Sequence, residues 1–573
     1  MSAKSNEVLL SSTIIGSSDS SATARSVAAR TNNAPPFIGI FPWLEYFVEL
    51  PFWCVVQLIL LPLRLLALPF SCCCNTTFKG QTPENLISTS CSGVDDIPRV
   101  TDELKASFRA GETRPYKWRM QQICGVQQLL RDNDAEILAA YKKDLGKPTG
   151  DWFLEKMAIH AEAEHAKSHL HHWMQPESRW TPLWQQPGSS KIIKEPLGTI
   201  LVIGPYNYPM NLVLAPMIAA FSAGNNILVK PSEQMPATSE LMAALLPKYL
   251  SEHAVRVVLG GIPETTKILE QKWDKIFFTG SGRVASIIEK KIAGTLTPCC
   301  FELGGKSPCI VDASANISVA CKRICQGKFA NAGATCIAPD YIMVEDCIHD
   351  KFVNALKDEV RRAFTDDPKT SDDYASILNK DHMQRLAGYV NNAVANGATV
   401  VCGYDANADL DLDERFMAPT ILTGVTLESE CMKEEIFGPI LPVMKMAGKN
   451  NGKTTTEMMD SAIQFIQDRD IPLACYVFTS SSTVRNAVVG RIQSGSMCVN
   501  DAVYQVLSPD IPFGGVGPSG MGNYHGREGF NCFSHSKSVF DHDTMTDCCT
   551  RFRYPPFTSF AESILSKLMG RSW

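Results

Sequence analysis

The rhythm of hydrophobic and polar positions changes three times along the chain. Residues 1–36 are rich in Ser, Ala, Thr and Asn and have no hydrophobic period, which predicts a disordered tail. Residues 37–75 are strongly apolar. The run from Leu50 to Phe70 holds one charge, Arg64, and one amide, Gln57. As a helix this run reaches about 31 Å, the thickness of a bilayer core. Pro51, Pro62 and Pro69 interrupt it, so a kinked or in-plane anchor fits as well as a spanning helix. Cys72-Cys73-Cys74 follow at once, where S-acylation adds a second membrane signal. Residues 37–75 therefore predict membrane association, against the plainer reading of an apolar extension packed on the folded part.

Residues 76–100 read as a linker. Residues 102–175 predict long polar helices ending near Pro176. After that, short apolar runs alternate with helical stretches. Strands are expected at 198–204, 226–230, 255–259, 275–278 and 298–303, and helices at 211–223, 239–250 and 284–293. The rhythm continues through residue 500. It predicts an α/β fold with parallel sheets covered by helices on both faces. The expected divisions are 101–303, 304–500, 501–545 and a tail at 546–573. In that tail Phe557, Phe560, Ala561, Ile564, Leu565 and Leu568 recur on one helical face.

Composition narrows the class. The 573 residues carry 54 Lys+Arg against 60 Asp+Glu, a net charge of −6, which gives no reason to expect a nucleic-acid partner. Hydrophobic content of 45% and charged content of 20% exclude global disorder. The 20 Cys are scattered and no Cys-x-x-Cys pair occurs, so a reduced intracellular chain without structural zinc is expected. His165 and His169 lie one helical turn apart, but a solvated helix face is the better reading and no metal is expected. The pair Cys299-Cys300 reads as buried packing.

Four segments carry chemistry: Gly204-Pro-Tyr-Asn-Tyr-Pro209, Leu228-Val-Lys-Pro-Ser-Glu233, Phe278-Thr-Gly-Ser281 with Phe301-Glu-Leu-Gly-Gly-Lys306, and Asn331-Ala-Gly-Ala-Thr-Cys336. Glu434-Glu-Ile-Phe-Gly-Pro439 and Pro512-Phe-Gly-Gly-Val-Gly-Pro-Ser-Gly-Met-Gly522 follow in order. Together these residues resemble the aldehyde dehydrogenase superfamily over roughly residues 97–541. Tyr524-His-Gly-Arg527 and Phe533-Ser-His535 are most similar to its class 3, fatty-aldehyde branch.

The resemblance implies two open parallel-sheet domains, one for the cofactor and one catalytic, plus a β bridging arm near 186–198 and 500–540. It implies a homodimer. Cys336 matches the nucleophile, whose thiolate attacks well and leaves well from a thioester. Asn207 matches the donor that stabilises the oxyanion. Glu302 matches the base that drives water onto the thioester. Lys230, Glu233, Gly280, Ser281, Glu435 and Phe437 match positions that hold NAD, with NADP also compatible. A carboxylate at Glu233 favours NAD by repelling a 2′-phosphate. Ala334, Tyr206 and Ala285 depart from residues common in relatives.

The expected function is oxidation of long-chain, lipid-derived aldehydes to acids by an intracellular, membrane-associated enzyme. The rivals are a coenzyme-A-acylating dehydrogenase, which Glu302 argues against, and a non-catalytic scaffold, which the retained triad argues against.

Overall fold

The computed structural model describes residues 93–406, 411–446, 452, 454–545 and 547–570. The apolar stretch 37–75, its cysteine run and residues 76–92 of the expected linker lie outside them. Residues 93–100 are not linker: a 3-10 turn at Val94–Asp96 leads into an α-helix that begins at Ile97. Pro98 sits in its first turn, where a missing N–H costs nothing, and Ile97, Val100, Thr101 and Leu104 are buried. Polar helices Tyr116–Asp132, Asp134–Leu145 and Thr149–Trp173 follow.

The strands run in chain order as β1 (Glu177–Arg179), β2 (Ser189–Pro196), β3 (Thr199–Ile203), β4 (Asn226–Lys230), β5 (Val255–Val257), β6 (Lys275–Thr279), β7 (Cys299–Glu302) and β8 (Pro308–Val311). They continue as β9 (Tyr341–Glu345), β10 (Thr399–Cys402), β11 (Thr420–Thr423), β12 (Ile440–Met446), β13 (Ala474–Phe478), β14 (Ser496–Val499), β15 (Gly520–Met521) and β16 (Ser534–Asp541). Among the described residues they form three sheets. The first has order β15-β7-β6-β3-β4-β5 and is parallel except at β15. The second has order β10-β11-β12-β9-β8-β13-β14 and is parallel except at β10. The third is the antiparallel arm β1-β2-β16.

Every residue of β3 and β4 is buried, as unbroken apolar runs in doubly covered parallel strands require. Helix Asn211–Ala223, between them, is buried on nearly all sides. It stops at Gly224, whose φ of +91° closes a left-handed cap. Helix Ile262–Leu269 was not expected from the sequence. Pro263 is tolerated in its first turn, and Glu264 accepts from the Gly261 N–H at 2.7 Å.

The two large sheets present opposite ends to one place. The first contributes segments at the C-terminal ends of β3, β6 and β7. The second contributes segments that precede β9 and β12. Among the described residues no helix is long and apolar enough to cross a membrane.

Candidate active site

Cys336 ends a tight loop after helix Ile317–Phe329. Asn331 and Ala332 hold φ of 53° and 49°, a strained left-handed pair. Asp151 fixes that strain by accepting from the Asn331 N–H at 2.9 Å. The Asn331 side-chain amide donates to the Ala334 carbonyl at 3.2 Å and to the Asn207 carbonyl at 2.9 Å. Tyr208 and Thr335 share a hydroxyl bond at 2.7 Å. The loop of Cys336 and the turn of Asn207 are thereby tied at two points. A third constraint comes from Gly333: a Cβ there would lie 2.3 Å from the Gly438 carbonyl, so the loop packs directly on the Phe437-Gly438 segment.

Asn207 is held from behind as well. Lys147, fully buried, donates to the Asn207 carbonyl at 3.1 Å and to Glu155 at 2.7 Å. Its ammonium lies 4.2 Å from the centre of the Tyr208 ring. Glu155 also accepts from the Tyr141 hydroxyl and the Asn211 N–H. The described residues give the Asn207 side-chain amide no hydrogen-bond partner, so it is available to a ligand atom.

Glu302 ends β7 and is 1% exposed. Its main-chain carbonyl accepts from the Gly280 N–H at 3.0 Å. In its carboxyl, Oε1 has the Cys300 thiol at 3.8 Å and Oε2 is buried without a partner. Burial pushes this carboxyl well above the ordinary carboxylate range. Burial raises the Cys336 thiol too, with the nearby Glu435 and Glu302 charges adding to the effect. The N–H groups of Cys336 and Ile337 oppose that rise.

A cleft of about 1000 Å³ opens between the sheets, lined by Ser281, Gly304, Gly305, Glu434 and Glu435 among others. Ser281 caps helix Gly282–Ile292 by accepting from the Val284 N–H. A Cβ on Gly304 would lie 2.1 Å from a Glu435 oxygen, so only glycine lets that carboxylate enter. Burial raises Glu435 to about 8, while Glu434 is exposed and Lys306 takes its carbonyl. Of the two adjacent carboxylates, Glu435 is the inward one. These glycines, the helix start and the inward, partly exposed carboxylate fit a dinucleotide. Lys230 and Glu233 pair at 3.1 Å outside the lining of this cleft. Phe437, at φ 47°, meets the Tyr206 ring at 5.8 Å beside His382.

The structure thus joins Cys336 with Glu302 and Glu435, and links Asn207 to the Cys336 loop. Among the described residues no group of three metal-ligating side chains occurs. His165 and His169 stack at 4.3 Å against Trp173. Sequence reasoning missed Lys147, Asp151, Glu155 and Asn331. One signal was readable: Asp151, Glu155 and Glu162 fall on the stripe of helix Thr149–Trp173 that also carries Trp152, Ile159 and Leu170.

A family model described as the aldehyde dehydrogenase family matches residues 76–539. A rat protein named aldehyde dehydrogenase, dimeric NADP-preferring, is 38% identical over 81% of this chain and 98% of its own. Rat aldehyde dehydrogenase family 3 member B1 is 38% identical over 81% of this chain and 96% of its own. The substrate-bound structure of Staphylococcus aureus AldH superposes with a TM-score of 0.76 at 36% identity, covering 82% of this chain and 99% of that one.

Proposed function

The chain belongs to the aldehyde dehydrogenase family as an NAD(P)-dependent enzyme, and from that premise we propose that it oxidises long-chain, lipid-derived aldehydes to carboxylic acids through a thioester on Cys336. The observation that carries this reading is a nucleophile near a buried carboxyl, on a loop tied to a turn that bears an unpartnered amide. Cys336 attacks the aldehyde carbon. The developing oxyanion is met by the free amide of Asn207 and the Cys336 N–H, both preorganised by the bonds behind them. The bound cofactor supplies the hydride acceptor. Glu435 would orient its ribose, and Ser281 with the start of helix Gly282–Ile292 would take its phosphates. Glu302 then draws a proton from water, which hydrolyses the thioester. A buried base beside the nucleophile supports transfer to water rather than to coenzyme A.

The carboxylate of Glu233, 48% exposed with one oxygen on Lys230, supports a preference for NAD. The substrate class rests on the tail. Helix Ser559–Gly570 packs against the turn Leu183–Gln185 and buries Ala561, while Phe557 and Phe560 remain 62% and 73% exposed. Two apolar rings left in water beside the arm suit an acyl chain or a second subunit. A homodimer is supported by the relative named dimeric and by the unpaired edges of β14 and β16. Membrane attachment through 37–75 rests on the sequence pattern.

The test is NADH formation with aldehydes from short to long chain, with Cys336→Ala as control. Turnover without coenzyme A that rises with chain length and vanishes in the control supports the reading. A flat chain-length profile removes the lipid substrate, and turnover surviving in the control removes the mechanism.

A further inference from the structure

Glu435 lies in neither a strand nor a helix. It sits between the 3-10 turn Glu430–Met432 and β12, and its neighbours are held by side chains from elsewhere in the chain. The Lys306 ammonium donates to the Glu434 carbonyl at 2.9 Å and to the Cys431 carbonyl at 2.7 Å. It also pairs with the carboxylate of Asp340. The other Asp340 oxygen accepts from the Ile436 N–H at 3.0 Å. The Arg385 guanidinium donates to the Ile436 carbonyl at 2.8 Å. The Glu434 carbonyl belongs to the peptide before the Glu435 Cα, and the Ile436 N–H to the peptide after it. One ion pair thus pins both peptides that flank Glu435. Each peptide is a rigid plane, so this fixes the two backbone angles that aim the side chain.

The pair also registers the rest of the site. Lys306 stands four residues after Glu302, just past the Gly304 that the Glu435 carboxylate packs against. Asp340 stands four residues after Cys336, and its own N–H donates to the Ser307 carbonyl at 2.8 Å. The segments of the base, the nucleophile and the inward carboxylate therefore meet at one point. The Lys306 and Asp340 side chains are 12% and 4% exposed, so desolvation of the pair is costly and its hydrogen bonds must offset it. An ammonium has three donors. Asp340, Cys431 and Glu434 take all three, which leaves Lys306 none for the cofactor.

We propose that Lys306 and Asp340 are positioning residues that aim the Glu435 carboxylate at the cofactor ribose. The inference rests on the reading in which Glu435 meets that ribose. With the pair in place, the carboxylate passes Gly304 into the cleft in one orientation. Without it, the carbonyls of Cys431 and Glu434 and the N–H of Ile436 lose their partners, and the aim of Glu435 is lost with them. Lys306 and Asp340 touch no reacting atom, so their effect on cofactor binding and hydride transfer passes through Glu435.

The experiment is a double-variant cycle on the full chain. NAD affinity is read by titration calorimetry, and the rate of the first NADH from an aliphatic aldehyde by stopped flow. The variants are Lys306→Met, Lys306→Arg, Glu435→Ala, and Lys306→Met with Glu435→Ala. Glu435→Ala is expected to lose about tenfold to a hundredfold in the product of NAD affinity and first-NADH rate, the fold-change of a lost hydrogen bond to a charged group. Lys306→Met shows a loss of the same size. Lys306→Arg keeps the charge and the donors and recovers part of it. In the Glu435→Ala background, Lys306→Met adds no further loss, because no carboxylate is left to aim. A merely structural lysine would lower the melting temperature in both backgrounds and weaken the two backgrounds alike. Full additivity of the two losses, or wild-type NAD affinity and first-NADH rate in Lys306→Met, would overturn the positioning role alone. If Glu435→Ala binds NAD and forms the first NADH as wild type does, the ribose reading falls and the inference with it. Lys306→Met leaves the Asp340 carboxylate buried without its cation. If it does not fold, Lys306→Met with Asp340→Leu, which leaves no orphan charge, decides in both backgrounds.

Discussion

Asn207 and Glu302 serve the same thioester, and each presents a side chain with few partners from an anchored main chain, but the anchors differ. The Asn207 carbonyl accepts from Lys147 at 3.1 Å and from Asn331 at 2.9 Å, and a buried ion pair stands behind it. Glu302 has one thiol contact at 3.8 Å and one oxygen with no partner. The difference follows from what each group does. An oxyanion donor acts by being fixed before charge develops, so every bond that immobilises it lowers the barrier. A base must change protonation and reach water, so strong fixed partners would trap it in one state. A buried ion pair, whose desolvation is costly, stands behind the group that needs rigidity.

The largest expected effect separates the two halves. Glu302→Gln should reduce steady-state turnover about 10²- to 10⁴-fold, with the first NADH per chain still formed rapidly. Stopped-flow absorbance reads both quantities, and equal loss in both would erase the distinction. Asn207→Ala should do the reverse. The first NADH slows about 10²- to 10³-fold and the burst disappears because acylation becomes limiting. Lys147→Met tests the support rather than the donor. It leaves the Glu155 carboxylate buried and unpaired, at a cost of about 3–5 kcal/mol in denaturant unfolding. Lys147→Met with Glu155→Leu should recover much of the stability, while acylation stays slow because Asn207 has lost its anchor.

A smaller effect concerns pH. Burial places the Glu302 carboxyl well above its usual range, and the base works only when ionised. Hydrolysis should therefore fall as pH drops, with its limb displaced upward from the ordinary glutamate value of about 4.3. A limb confined to acid pH would show that Glu302 is solvated or is not the base.

What the sequence made legible follows the same division. Strands β3 and β4 and the helix Asn211–Ala223 were readable because apolar runs end at Gly224 and Lys230, where local chemistry stops them. Cys336, Asn207 and Glu302 were readable through motif resemblance. Lys147 and Glu155 were not, because a charged pair eight residues apart reads as solvated surface until tertiary packing buries it.

The division between an acylating half and a hydrolysing half is tested most directly by intact-protein mass spectrometry of Glu302→Gln, mixed with NAD and a long-chain aldehyde and quenched in acid. One acyl group per chain, mapped to Cys336 and absent from the Cys336→Ala, Glu302→Gln double variant, is the predicted result. A chain that carries no adduct while acid accumulates at the wild-type rate would contradict it.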